Sequence, residues 1–172
     1  MNIILLGYRA TGKSSLGEAL AKELGYGFFD VDYEIEKSEG MSIAELINKK
    51  GEEKFREVEK EMIKRIDLLE NFVVGTGGGA VMSSSNRQII SKNSFNVWLS
   101  TNPSIIFSRV KSSKVRPILT NYDSYHEILV LLKKREPFYK DLCHLEIDTG
   151  DNDVSASVSL IKKAIERMNY EG

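Results

Sequence analysis

The chain has 172 residues, a net charge of −1, 41% apolar residues and 28% charged residues, the composition of one water-soluble domain with its own core. That charge balance excludes an electrostatic grip on nucleic acid or an anionic membrane. A single cysteine, Cys143, excludes an internal disulfide. No apolar run approaches the roughly 18 residues of a membrane span. No signal peptide precedes the first apolar run, so the expected location is cytoplasmic.

The first predicted element is a strand at 3–6. It leads into Gly7-Tyr8-Arg9-Ala10-Thr11-Gly12-Lys13-Ser14-Ser15 and then a helix at 13–24. Gly7, Gly12, Lys13 and Ser14 satisfy G-x-x-x-x-G-K-[ST] in its proper strand-to-helix context. Glycines let the backbone curl so that N–H groups point inward. Those donors and the positive helix end favour polyphosphate oxygens. Lys13 would reach the β- and γ-phosphates, and the Ser14 hydroxyl would ligate Mg²⁺. The loop therefore points to a nucleoside triphosphate with Mg²⁺ and leaves the acceptor open.

A second strand at 26–30 ends in Phe28-Phe29-Asp30-Val31-Asp32. Extended backbone through this stretch would set both carboxylates on one side. One would then hold Mg²⁺ through water, and the other would orient a substrate hydroxyl and take its proton. The alternative makes Asp32 the N-cap of a helix at 32–39. A helical stretch follows at 42–70, broken at Gly51. Its stripe of Phe55, Val58, Met62, Ile66 and Leu69 faces a core. Arg56 lies off that stripe, spaced i,i+4 from Glu52, the geometry of an ordinary surface pair.

The third strand, 72–75, runs into Gly75-Thr76-Gly77-Gly78-Gly79. Such a glycine run suits close approach of backbone to a ligand, and also a plain turn. Thr76 is placed near the metal site. A helix at 84–91, a strand at 95–99 and a helix at 103–111 come next, the last carrying Arg109. The excursion 111–124 holds Arg116 and reads as a mobile lid. A helix at 124–142 carries Arg135, followed by a strand at 145–147 and a helix at 154–168. Arginine's planar fork matches carboxylate or phosphate. Taken singly, each of these arginines also suits a solvated surface. His126 and His144 receive no role. Alternation of short apolar strands and helices argues for a five-stranded parallel sheet with right-handed crossovers, covered on both faces in three α/β/α layers.

Taken together, GYRATGKSS, FFDVD, GEEKFREVE, GTGGG, VRPIL and KKREPFY closely resemble the shikimate kinase family over nearly the whole chain. The resemblance implies a P-loop NTPase-type fold like that of nucleoside monophosphate kinases. It implies ATP and Mg²⁺ as cofactors, shikimate as acceptor and a monomer. Nucleotide contacts would come from Gly7, Ala10, Thr11, Gly12, Lys13, Ser14, Ser15, Arg109 and Arg116. Asp32, Arg56, Gly77, Gly78, Gly79 and Arg135 would bind shikimate within a helical region at about 32–61 and beyond. Lys13, Asp32 and Arg116 would be catalytic, with Ser14 and, through water, Asp30 at the metal. Ala10 stands where the family often has glycine, and Val115 where a second basic residue is frequent. Rival readings are a gluconate or nucleoside monophosphate kinase, and a nucleotide-binding module without turnover.

Overall fold

Alternate residues of each strand enter two different cores, and the layered fold follows from that alternation. The structure is a computed structural model describing residues 1–92, 94–112 and 125–171. Five parallel strands, β1 (Asn2–Leu6), β2 (Gly27–Asp30), β3 (Phe72–Gly75), β4 (Ser94–Ser100) and β5 (Leu145–Asp148), form one sheet in the order β2-β3-β1-β4-β5. Ile3, Leu5, Val73, Phe95, Val97, Leu99 and Ile147 turn to one face. There they meet Leu16, Leu20 and Ala21 of α1 (Lys13–Leu24) and Ile161 of α7 (Val154–Glu171). Ile4, Leu6, Val74 and Trp98 turn to the other. They pack on α2 (Val31–Glu39), α3 (Ile43–Lys64), α4 (Ser84–Ile90) and α6 (Tyr125–Leu142). This is the three-layer parallel arrangement expected from the sequence. Strands buried on both faces are largely apolar, and all five residues of β1 are buried.

The helix boundaries follow local chemistry. Ser42 opens α3 with a reciprocal capping box to Glu45. Gly51 (φ 87°, ψ 160°) kinks that helix where the sequence placed a break. Of the expected stripe, Phe55, Met62 and Ile66 are core residues, while Val58 and Leu69 pack against it half-buried. The end of the predicted 42–70 helix is a separate 3-10 turn, Arg65–Leu68. A further helix, α5 (Pro103–Ser112), packs Ile106 against Tyr8 and Ile128. Among the described residues no helix is long and apolar enough to cross a membrane.

Register positions the site. Leu5 and Asp30 both pair with Gly75. The segments leaving β1, β2 and β3, which carry the phosphate loop, the acids and the glycine run, therefore emerge side by side. Ligands of open parallel sheets bind beyond these carboxyl ends.

Candidate active site

The phosphate loop is built from its own constraints. Gly7 has φ 142°, and a Cβ there would lie 2.5 Å from the Leu99 carbonyl oxygen. Gly12 (φ 92°) precedes α1, and no side chain caps that helix, so its first N–H groups are left for an anion. Ala10 adopts φ 61°, a left-handed conformation that costs a residue with a Cβ about 1–2 kcal/mol. The loop's carbonyls are engaged. Lys13 Nζ arches back to donate to Gly7 O (2.8 Å) and Tyr8 O (2.7 Å). Thr11 Oγ1 donates to Tyr8 O and Thr149 Oγ1 to Thr11 O. Arg109 donates to Ala10 O (3.2 Å) and Thr149 O (3.0 Å), joining the loop to the segment after β5. Thr11 is thus buried as a brace, with its hydroxyl directed into its own loop.

The two acids do not share a side of a strand, because the extended backbone ends at Asp30 and α2 begins at Val31. Asp30, not Asp32, is the N-cap, its Oδ1 accepting from Tyr33 N at 3.2 Å. Its other oxygen accepts from the Ser14 hydroxyl at 2.7 Å. A hydroxyl and a carboxylate this close are oxygen donors suited to Mg²⁺. Among the described residues no group of three His, Cys, Asp or Glu side chains converges. Such an ion would therefore also need phosphate and water oxygens, the usual habit of Mg²⁺. Thr76 is buried nearby, with its hydroxyl donated to Leu5 O.

Asp32 lies in the first turn of α2 and faces a cavity of about 380 Å³. Ala10, Gly12, Lys13, Ser14, Ser15, Asp30 and Gly78 line the same cavity. Behind it stands Glu59, whose side chain is 2% exposed. A Cβ on Gly77 would sit 2.9 Å from both Asp32 Oδ1 and Glu59 Oε1, so both carboxylates crowd the glycine backbone. Arg56 donates to Glu59 Oε2 at 3.0 Å and to Glu52 at 3.3 Å. A Cβ on Gly79 would fall 2.8 Å from either Nη of Arg56. Arg135 rests 5.2 Å above the Tyr8 ring. Burial pushes the Glu59 carboxyl above the usual range. Arg56 and, more weakly, Arg135 oppose that rise, and the Asp32 charge reinforces it. One buried carboxylate therefore feels Asp32, Arg56 and Arg135 together. Arg116 lies outside the described residues.

Residues 9–166 match the family model described as shikimate kinase. The chain belongs to the shikimate kinase family. It is 39% identical to the shikimate kinase of Thermodesulfovibrio yellowstonii over 170 residues, 98% of this chain and 96% of that one. A solved shikimate kinase from Acinetobacter baumannii, in complex with shikimate, superposes with a TM-score of 0.90 at 31% identity, covering 96% of this chain and 93% of that one. The Aquifex aeolicus shikimate kinase covers all of both chains with a TM-score of 0.85 at 31% identity. Several residues of the cleft carry no assignment from the sequence alone. Arg9, Tyr33 and Glu36 line it, and Tyr8, Tyr139 and Glu59 support it. Glu59 had a signal, since it closes F-R-x-x-E three residues after Arg56 on one helix face. Arg9 had none beyond its place inside the phosphate loop.

Proposed function

We propose that this cleft transfers the γ-phosphoryl group of ATP to the 3-hydroxyl of shikimate, giving shikimate 3-phosphate and ADP on the route to chorismate. The observation that carries the reading is the gathering of Asp32, Glu59 and Arg56 against Gly77 and Gly79, with Arg135 over the Tyr8 ring, beside a phosphate loop that shares a cavity wall with Asp32. Two arginine forks suit the acceptor's carboxylate. Asp32 suits its hydroxyls, and Gly77, Gly78 and Gly79 admit the ring close to backbone.

The chemistry asked of the protein is positioning and charge stabilisation. The acceptor oxygen bonds to the γ-phosphorus while the bond to the β,γ-bridging oxygen breaks, and ADP departs with that oxygen. Asp32 takes the hydroxyl proton. Lys13 leaves its backbone acceptors for the β- and γ-phosphates, and the first-turn N–H groups of α1 hold the same oxygens. Gly7, Ala10, Thr11, Gly12 and Ser15 shape the loop around the triphosphate. Arg109 flanks the nucleotide, and Arg116 contributes a further charge from the 111–124 segment. Ser14 would hold Mg²⁺ directly and Asp30 through water; the ion would neutralise charge on the phosphates. The expected enzyme is a cytoplasmic monomer.

Coupled ADP-release assays across an acceptor panel test this reading. Shikimate should be phosphorylated, and gluconate and nucleoside monophosphates should not. Turnover of either of those without shikimate would reassign the acceptor pocket. Tight ATP binding with no shikimate 3-phosphate would mark a nucleotide-binding module instead.

A further inference from the structure

In the segment Arg135-Glu136-Pro137-Phe138-Tyr139, the chemistry above gives Tyr139 no part. Tyr139 is fully buried. It follows Arg135 by four positions, which puts both on one face of α6. Its hydroxyl donates to Gly78 O at 2.5 Å, across 61 positions of chain, and the Arg135 charge lies near enough to act on it. The Tyr139 ring stacks on Trp98 at 5.8 Å and 23°, which fixes the direction in which the hydroxyl points.

Gly78 and Arg135 both sit at the acceptor end of the cleft. Gly78 is pressed onto the phosphate loop. A Cβ there would stand 3.2 Å from Arg9 N and 3.3 Å from Gly7 O. The Arg135 guanidinium lies 5.2 Å above the Tyr8 ring and acts on the buried Glu59 carboxyl more weakly than Arg56 does. Arg56, by contrast, is shared between two glutamates. The weaker hold on Arg135 leaves it the more available of the two cations to an incoming anion.

We propose that Tyr139 is a positioning residue for the acceptor: its buried hydroxyl ties α6, one turn after Arg135, to the Gly78 backbone, and so sets where Arg135 stands relative to the phosphate loop. This rests on the kinase reading above, which assigns the acceptor's carboxylate to Arg135. Burial holds the tyrosine hydroxyl well above its ordinary titration range, so it keeps its proton at working pH and the link to Gly78 persists.

Tyr139→Phe removes the hydroxyl and keeps the stacked ring. The expected result is a rise of about tenfold in KM for shikimate, the size of one lost buried hydrogen bond. The kcat and the KM for ATP should stay within about twofold, the pattern of lost uniform binding. A merely structural role would lower thermal stability and shift the constants for both substrates together. A folded Tyr139→Phe enzyme with its shikimate KM within about twofold of native would overturn the proposal. A second measurement needs no variant activity. In nitrogen-15 backbone relaxation of the ligand-free proteins, residues 135–139 should be more mobile in Tyr139→Phe than in native. Unchanged mobility there would equally overturn it. Failure of native protein to phosphorylate shikimate strikes the kinase reading instead and leaves the spectroscopic result standing.

Discussion

Gly78 and Gly79 are neighbours with different obligations. At Gly79 an added methyl meets the tips of the Arg56 side chain at 2.8 Å, and a long side chain can swing away. At Gly78 it meets the backbone of the phosphate loop at 3.2–3.3 Å, which cannot move without disturbing the nucleotide. Gly79→Ala should therefore leave the fold and the KM for ATP close to native. It should raise the KM for shikimate about tenfold, the worth of one displaced charged hydrogen-bonding group. Gly78→Ala should worsen both substrates. Steady-state kinetics with each substrate varied in turn checks the pair; equal effects on ATP from both variants would contradict this division.

Between elements, α1 packs tightly against β2 in the nucleotide-binding half. A Cβ on Gly17 would lie 2.2 Å from Phe28 Cε2 and within 3.0 Å of two more ring atoms. Overpacking at such a contact costs about 1–3 kcal/mol. Alanine in a helix interior returns up to about 1 kcal/mol relative to glycine. The balance favours the native glycine, so Gly17→Ala should lower the urea midpoint without changing the slope of the transition. A midpoint at or above native would mean that the Phe28 ring moves aside at no cost. The same contact explains how a glycine can sit inside α1 despite its poor helix propensity.

For the folded unit as a whole, Glu59 ties function to stability. Its side chain is 2% exposed, and its Oε1 has no hydrogen-bond partner among the described residues. Burial raises its folded-state value above the ordinary carboxylate value of about 4.3. For a group raised in this way, the stabilising contribution is complete below the unfolded value and is lost as pH climbs through the folded one. Glu59→Gln abolishes the titration. Native stability minus that of Glu59→Gln should therefore fall as pH rises from about 4 through the raised value and then level off. Urea midpoints of both proteins across that range check it. A difference that grows with pH would show that the Arg56 ion pair, 3.0 Å away, outweighs desolvation.

Some of this protein was readable along the chain. The strand–loop–helix at residues 2–24 was, because phosphate binding there needs only adjacent residues: two glycines with positive φ, a lysine and a helix start. So were the five strands, since burial on both faces demands continuous apolar runs, and the kink at Gly51, since only glycine tolerates its backbone angles. His144 likewise needed no role; it accepts from Asn96 N and stacks on Phe95 beside β4. Packing decided the rest. Whether Asp30 or Asp32 caps α2 depends on where the strand stops, and that is set by the register of β2 on β3. Arg56 read as a surface ion pair until α3 docked and brought Glu59 against Asp32 and Gly77. The Tyr139–Gly78 bond spans 61 positions and the Thr149–Thr11 bond 138. Local conformation follows from a few neighbouring residues, whereas contacts at that separation exist only once the sheet has brought distant segments together.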